Sequence, residues 1–147
     1  MKVRDIMTRD VSTAAPGMTL EEAADMLARR RLRAVPVIDD EGHVLGMLTD
    51  GLLMSRLLPG LERAEAGEGM AGSAPAGEVR DIMERTVMCV KEDERLANVV
   101  RLMLDREIER LPVVREGQLV GFLTRGDIIR RLLLRDAAGD AKETKGE

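Results

Sequence analysis

One residue of the 147 is aromatic: Phe122 stands alone, without a Trp or Tyr anywhere in the chain. The stacking platforms that hold unpaired bases are therefore missing. The single cysteine, Cys89, cannot build an internal disulfide framework and suits a reducing compartment, so a cytoplasmic location is expected. The single histidine, His43, has no second His or Cys at ligand spacing, and no metal site is expected. No apolar run approaches the roughly 18 residues that a membrane-spanning helix needs. The opening MKVRDIMTRD meets an acid at its fifth residue and has no apolar core, which does not read as a signal peptide. A net charge of −4 argues against a nucleic-acid partner. The sequence offers no nucleophile–base set, metal cluster or cofactor-binding loop, and so no enzymatic activity and no cofactor are expected.

What is present is a soluble balance of 44% apolar and 34% charged residues, in which ten methionines join Leu, Val and Ile as core material. The chain is also duplicated. Val3–Met7, VRDIM, recurs at Val79–Met83, and the same offset maps Arg9 to Arg85, Val11 to Val87, Leu20 to Leu96 and Pro36 to Pro112. After a one-residue deletion in the second copy, Gly46 maps to Gly121, Thr49 to Thr124 and Leu57-Leu58 to Leu132-Leu133. Two copies are too few for a solenoid, so a closed pair is expected.

Each copy reads as β-α-β-β-α. A short extended piece, Val11–Ala14 or Val87–Val90, follows VRDIM. Thr19 with Glu22 forms a capping box at the start of a helix. Its apolar face is Leu20, Ala23, Ala24, Leu27 and Ala28, matched in the second copy by Leu96, Val99, Val100, Met103 and Leu104. The basic run Arg29–Arg31 suits the negative end of that helix. Ala34–Ile38 and Leu111–Val114 read as buried strands, turning at DDEG or REG into Val44–Leu48 and Leu119–Leu123. A second helix begins near Gly51 or Gly126. The expected division is a first repeat at 1–58, a mobile Gly/Ala-rich connector at 59–78, a second repeat at 79–135 and a frayed polar tail at 136–147.

VRDIM at each start, the strands AVPVI and RLPVV, and the closing GMLT and GFLTRGD together resemble the CBS-domain pair, or Bateman module. The resemblance spans both repeats. It implies an α+β fold in which tandem β-α-β-β-α repeats pack about a pseudo-two-fold axis. It implies a regulatory protein binding adenosine ligands such as AMP, ADP, ATP or S-adenosylmethionine in clefts between the repeats. It further implies a homodimer, expected here through the second helix of each repeat, and an unknown effector protein acted on in trans. A structural dimerisation module without a physiological ligand is the alternative.

The two closing turns differ. Thr124 is placed to cap a helix whose first N–H groups have no intrahelical partner and attract phosphate. Gly126 leaves the backbone approachable, and Asp127 can accept hydrogen bonds from vicinal ribose hydroxyls. The first turn has Thr49 and Gly51 but Leu52, which can do neither. By the resemblance, Thr124, Gly126 and Asp127 work with Thr13, Ala14, Ala34, Val35 and Pro36, the adenine-facing segment, and Arg110 and Arg125 are candidate phosphate contacts. Thr49, Leu52, Cys89 and Leu111 would form a degenerate second site, empty or weak. One ligand per chain is expected.

Overall fold

The computed structural model describes residues 1–69 and 75–134. The expected polar tail and part of the connector lie outside these residues. In chain order the elements are α1 (Leu20–Arg30), β1 (Ala34–Ile38), β2 (Val44–Thr49), α2 (Asp50–Arg63), α3 (Val79–Ile82), β3 (Val90–Lys91), α4 (Leu96–Asp105), β4 (Arg110–Arg115), β5 (Gln118–Thr124) and α5 (residues 125–134).

VRDIM folds as a single capped turn. In the first copy, Val3–Asp5 forms one 3-10 turn, and the Lys2 N–H donates to Asp5 Oδ2 at 2.8 Å. In the second, the Glu78 N–H donates to Asp81 Oδ2 at the same 2.8 Å. The spacing i, i+3, i+4 puts Val, Ile and Met on one side and leaves Arg4 and Arg80 in solvent. Arg9 and Arg85 then donate to the carbonyls of Arg4 and Arg80 at 3.2 and 3.0 Å, closing each turn from outside.

Each turn docks on the other repeat. The chain forms two compact units, Met1–Val11 together with Met88 onward, and Ser12–Val87. Val3, Ile6 and Met7 are fully buried among Val90, Leu96, Val99, Met103, Leu111, Val113, Leu123 and Ile128. Val79 and Met83 are buried among Ala14, Leu20, Ala23, Leu27, Val35, Val37, Leu48 and Leu53. Main-chain bonds fix the exchange identically in both units. The N–H groups of Val3 and Arg4 reach the carbonyls of Glu94 and Glu92, and those of Val79 and Arg80 reach Met18 and Pro16. On the other side of the turn, Thr8 pairs with Phe122 and Glu84 with Met47 through reciprocal N–H to carbonyl bonds of 2.9 Å. The compact units therefore divide the chain differently from its sequence repeats.

β1 and β2 form an antiparallel pair, with Ala14 bridging Val37 in parallel. In the other unit, β3 runs parallel to β4, which is antiparallel to β5. Both antiparallel pairs carry a bulge at matching places, Val37/Ile38 and Val113/Val114. The shorter hairpin closes through Glu116 and Gly117, both at positive φ (50° and 81°), as a tight two-residue turn requires. Thr19 caps α1 by accepting from the Glu22 N–H at 3.1 Å. The apolar faces of α1 and α4 are narrower than the sequence pattern suggests: Ala28 and Leu104 face solvent, because the sheet covers only one stripe of each helix.

The boundary expected at Leu58 falls inside α2. Helix continues through Pro59 to Arg63 and then as a wider turn over Ala64–Glu68. Leu61, Glu62, Arg63, Ala64 and Glu65 are good helix formers, and that propensity outweighs the lost N–H of Pro59. Left-handed Gly67 (φ 92°) ends the run. The far end of the segment is tied as well: the Leu20 N–H donates to the Gly77 carbonyl, and Arg56 Nη1 to that of Ala76.

Close approach of the docked turn requires a glycine on each return strand. A Cβ on Gly46 would lie 2.5 Å from the Glu84 carbonyl oxygen, and one on Gly121 would overlap the Met7 side chain. Gly46→Ala should therefore cost about 1–3 kcal/mol, read as a fall in Tm by calorimetry. Gly51→Ala, where the nearest atom is 3.8 Å away, should leave Tm unchanged or raised. Equal effects from the two substitutions would rule out the close approach as a source of stability.

Candidate ligand-binding site

The turn that closes β5 is built by main-chain bonds its counterpart shares. The Arg125 N–H donates to the Glu109 carbonyl (3.1 Å), just as the Asp50 N–H donates to that of Arg33 (2.8 Å). Thr124 Oγ1 accepts from the Asp127 N–H at 3.0 Å, and Thr49 Oγ1 from the Leu52 N–H at 3.2 Å. Both threonines are thus helix caps, and the first N–H groups are paired the same way in each unit.

The side chains on that shared frame diverge. Asp127, with a quarter of its side chain exposed, holds Arg130 Nη2 on Oδ1 at 2.6 Å and the Thr8 hydroxyl on Oδ2 at 3.3 Å. Burial alone would raise its pKa. Hydrogen bonds with Thr124, Arg130 and Thr8 and the Arg130 charge outweigh that and hold the carboxyl below its ordinary value. Leu52 instead packs against the apolar core of its own unit. The positions matching Thr8 and Arg130 are Glu84 and Ser55, so neither partner of the carboxylate exists there.

Arginines also separate the two turns. Arg110 is the register partner of Thr124 across β4 and β5, whereas Ala34 is that of Thr49. Cross-strand partners share a sheet face. Arg110 is partly buried, with Nη2 3.2 Å from Glu109 Oε2. Arg125 is committed elsewhere: Nε donates to the Ile108 carbonyl (2.7 Å) and Nη2 to that of Met103 (2.8 Å), satisfying the C-terminal end of α4. These bonds fix it as a clasp on α4 and leave few donors for a ligand. Gly126 adopts no positive φ; the space left by its missing side chain is taken by the Arg130 guanidinium, whose Nη1 would lie 3.2 Å from a Cβ there.

In the other unit, Ala14, Ala34, Val35 and Pro36 are buried and Thr13 is partly exposed. The Ala14 N–H donates to the Pro36 carbonyl and its carbonyl accepts from the Ile38 N–H, both at 3.0 Å. Thr13 and Ala14 are thereby held beside β1. Cys89 is partly buried, and desolvation pushes its thiol pKa up, away from reactivity. Leu111 is core. Among the described residues, no group of three His, Cys, Asp or Glu side chains could hold a metal ion, and no helix is long and apolar enough to cross a membrane.

Thr8 and Arg130 are the two residues that sequence reasoning passed over. Each carried a signal. Arg130 stands three residues after Asp127 on a helix, the spacing of facing charges. Thr8 is one of the few positions where the VRDIM segments differ, being Glu84 in the second copy.

A sequence model of the CBS domain matches residues 3–59 and 79–134. The chain belongs to the CBS domain family. It is similar to the CBS domain-containing protein YhcV of Bacillus subtilis, at 31% identity over 139 residues, covering 95% of this chain and 91% of that protein. Its fold is similar to the crystal structure of CBSX2, an Arabidopsis thaliana protein, in complex with AMP (28% identity, TM-score 0.74, 92% of this chain and 98% of that one). It is similar as well to the CBS domain pair of protein MJ0100 in complex with 5′-methylthioadenosine and S-adenosyl-L-methionine, with 26% identity, TM-score 0.70 and the same coverage. This chain is thus an α+β CBS-domain pair, and CBS pairs of its fold bind adenosine compounds.

The lowered pKa of Asp127 has a consequence with a definite sign. A carboxyl whose folded pKa lies below its unfolded value stabilises the fold above the unfolded value, and the gain is lost as pH falls through the folded one. Asp127→Asn should therefore lower Tm near neutral pH, and the gap from the parent should close as pH drops below the ordinary aspartate value of about 3.9. A gap independent of pH would remove the charge as its cause.

Proposed function

We propose that this chain is a regulatory module that senses an adenosine ligand at one site per chain. The observation that carries the reading is the one-sided carboxylate: Asp127 is held by Thr8 and Arg130 at a capped helix start, where the matching turn offers Leu52. A carboxylate has about four acceptor positions, so these contacts leave room on it for a vicinal diol. Thr124 completes the ribose side, and Gly126 gives room there to the Arg130 guanidinium. The family resemblance assigns the adenine-facing role to Thr13, Ala14, Ala34, Val35 and Pro36, with the polar base edge read by main-chain groups. Arg110, in register with Thr124, is the candidate phosphate contact. The turn with Thr49 and Leu52 lacks a ribose acceptor, so the second site, to which the resemblance adds Cys89 and Leu111, is empty or weak. Adenosine compounds bound by the CBSX2 and MJ0100 structures support the ligand class.

Binding would bias a homodimer between arrangements, and a partner protein would read the change. Apolar surface suited to a second copy lies on α2 at Met54, Leu57, Leu58 and Leu61, and on α5 at Ile129, Leu133 and Leu134. Next to α5, an apolar groove of about 500 Å³ is lined by Leu96, Val100, Leu104 and Leu132. Leu53 and Ile128, on the same two helices, belong to the two cores instead.

Titration calorimetry with AMP, ADP, ATP and S-adenosylmethionine should give a stoichiometry near one per chain. Hydrogen bonds to a charged group are worth roughly 1.5–3 kcal/mol each, so Asp127→Ala should weaken binding about a hundredfold or more. No heat with any of the four at millimolar concentration would leave assembly, not sensing, as the function. By sedimentation, the parent should run as a dimer and a Leu58→Glu, Leu133→Glu variant as a monomer; an unchanged mass would remove these helices from the interface.

A further inference from the structure

We infer that Arg130 makes this a site for adenosine carrying a 5′-phosphate, in preference to the cationic sulfonium nucleoside. The inference rests on the ligand reading above and concerns what distinguishes one adenosine compound from another there. A carboxylate alone cannot make that distinction, because the ribose diol is common to them all.

The Arg130 guanidinium does two things at once. One edge, through Nη2, is anchored to Asp127 Oδ1 at 2.6 Å. The remainder of the fork is presented to solvent, with the side chain 66% exposed, and it lies over Gly126 at the first turn of α5. That fork carries five N–H donors in fixed geometry, matched to phosphate oxygens. A long helical side chain leans back toward the helix start, and Gly126 has no Cβ to obstruct it. The cation is thus held at the positive end of the same helix, where the dipole also favours an anion.

Surrounding charge reinforces the bias. Around the Thr124 turn stand Arg110, Arg125 and Arg130 against Asp127 and Glu109. Around the Thr49 turn the same positions hold Ala34, Asp50 and Ser55, with Leu52 and Arg33. One turn has gained cations where the other has a neutral or acidic residue. S-adenosylmethionine, with a net positive charge, is repelled by Arg130 even though it carries one carboxylate; the phosphate of AMP, with a net negative charge, gains a charge-assisted pair.

The test is calorimetry on the full chain with AMP, adenosine and S-adenosylmethionine, for the parent, Arg130→Gln and Asp127→Ala. The parent should bind AMP roughly tenfold or more tightly than adenosine, and S-adenosylmethionine more weakly than AMP. In Arg130→Gln, with Arg110 still in place, the AMP-to-adenosine ratio should fall about threefold or more, and in the parent it should shrink with added salt. A ratio unchanged in Arg130→Gln, or S-adenosylmethionine bound more tightly than AMP by the parent, would overturn the role of Arg130 while leaving the site standing. If Asp127→Ala binds all three compounds as the parent does, the site reading itself fails, and the inference with it. Binding of none of them by the parent has the same consequence.

Discussion

Everything in this molecule depends on the seating of a five-residue turn against a glycine. VRDIM has a polar outer edge and an apolar inner one, and alone it could bury nothing. Set on the loop ahead of a helix and paired with a return strand at Met47 or Phe122, it supplies core side chains that the local sequence lacks. Gly46 and Gly121 make the seating possible, since any side chain there would collide with the Met or the main chain of the incoming segment. Because each turn seats in the other repeat's sheet, neither repeat possesses a complete core of its own.

That seating leads directly to the candidate site. Thr8 is the first residue beyond the seated turn, and its pairing with Phe122 brings its hydroxyl to Asp127. The carboxylate is therefore positioned by both ends of the chain. The main-chain frame of the two closing turns is nearly the same, down to the threonine cap and the bond from the following N–H. Their chemistry differs because a handful of side chains differ: Thr8 for Glu84, Arg110 for Ala34, Asp127 for Leu52, Arg130 for Ser55. The duplicated frame thus carries a charged, hydrogen-bonded turn at Asp127 and an apolar one at Leu52.

Much of this was legible in the sequence. The duplication, the capped α1, the strand pairs and their turns could be read because local chemistry and period agree at those places. Three things were not. The exchange of VRDIM between repeats is a long-range choice to which no local pattern points. The run of α2 through Pro59 pits helix propensity against a single breaker, and the outcome depends on the whole stretch. The clasp of Arg125 on the carbonyls of Met103 and Ile108 looks, in sequence, the same as a free cation beside a phosphate-binding turn. Asp127 stood out in the sequence through its contrast with Leu52; Arg130, at helical spacing, and Thr8, unlike Glu84, carried weaker signals that only the fold joins to it.

The exchange also sets an order on biosynthesis. One unit, Ser12–Val87, is continuous in sequence and can be completed while the rest is still being made. The other joins Met1–Val11 to the described residues from Met88 onward. Val3, Ile6 and Met7 are therefore made well before the strands β4 and β5 that cover them. During that interval the nascent chain carries an exposed apolar hook, a natural target for chaperones and the point at which two chains could trade ends.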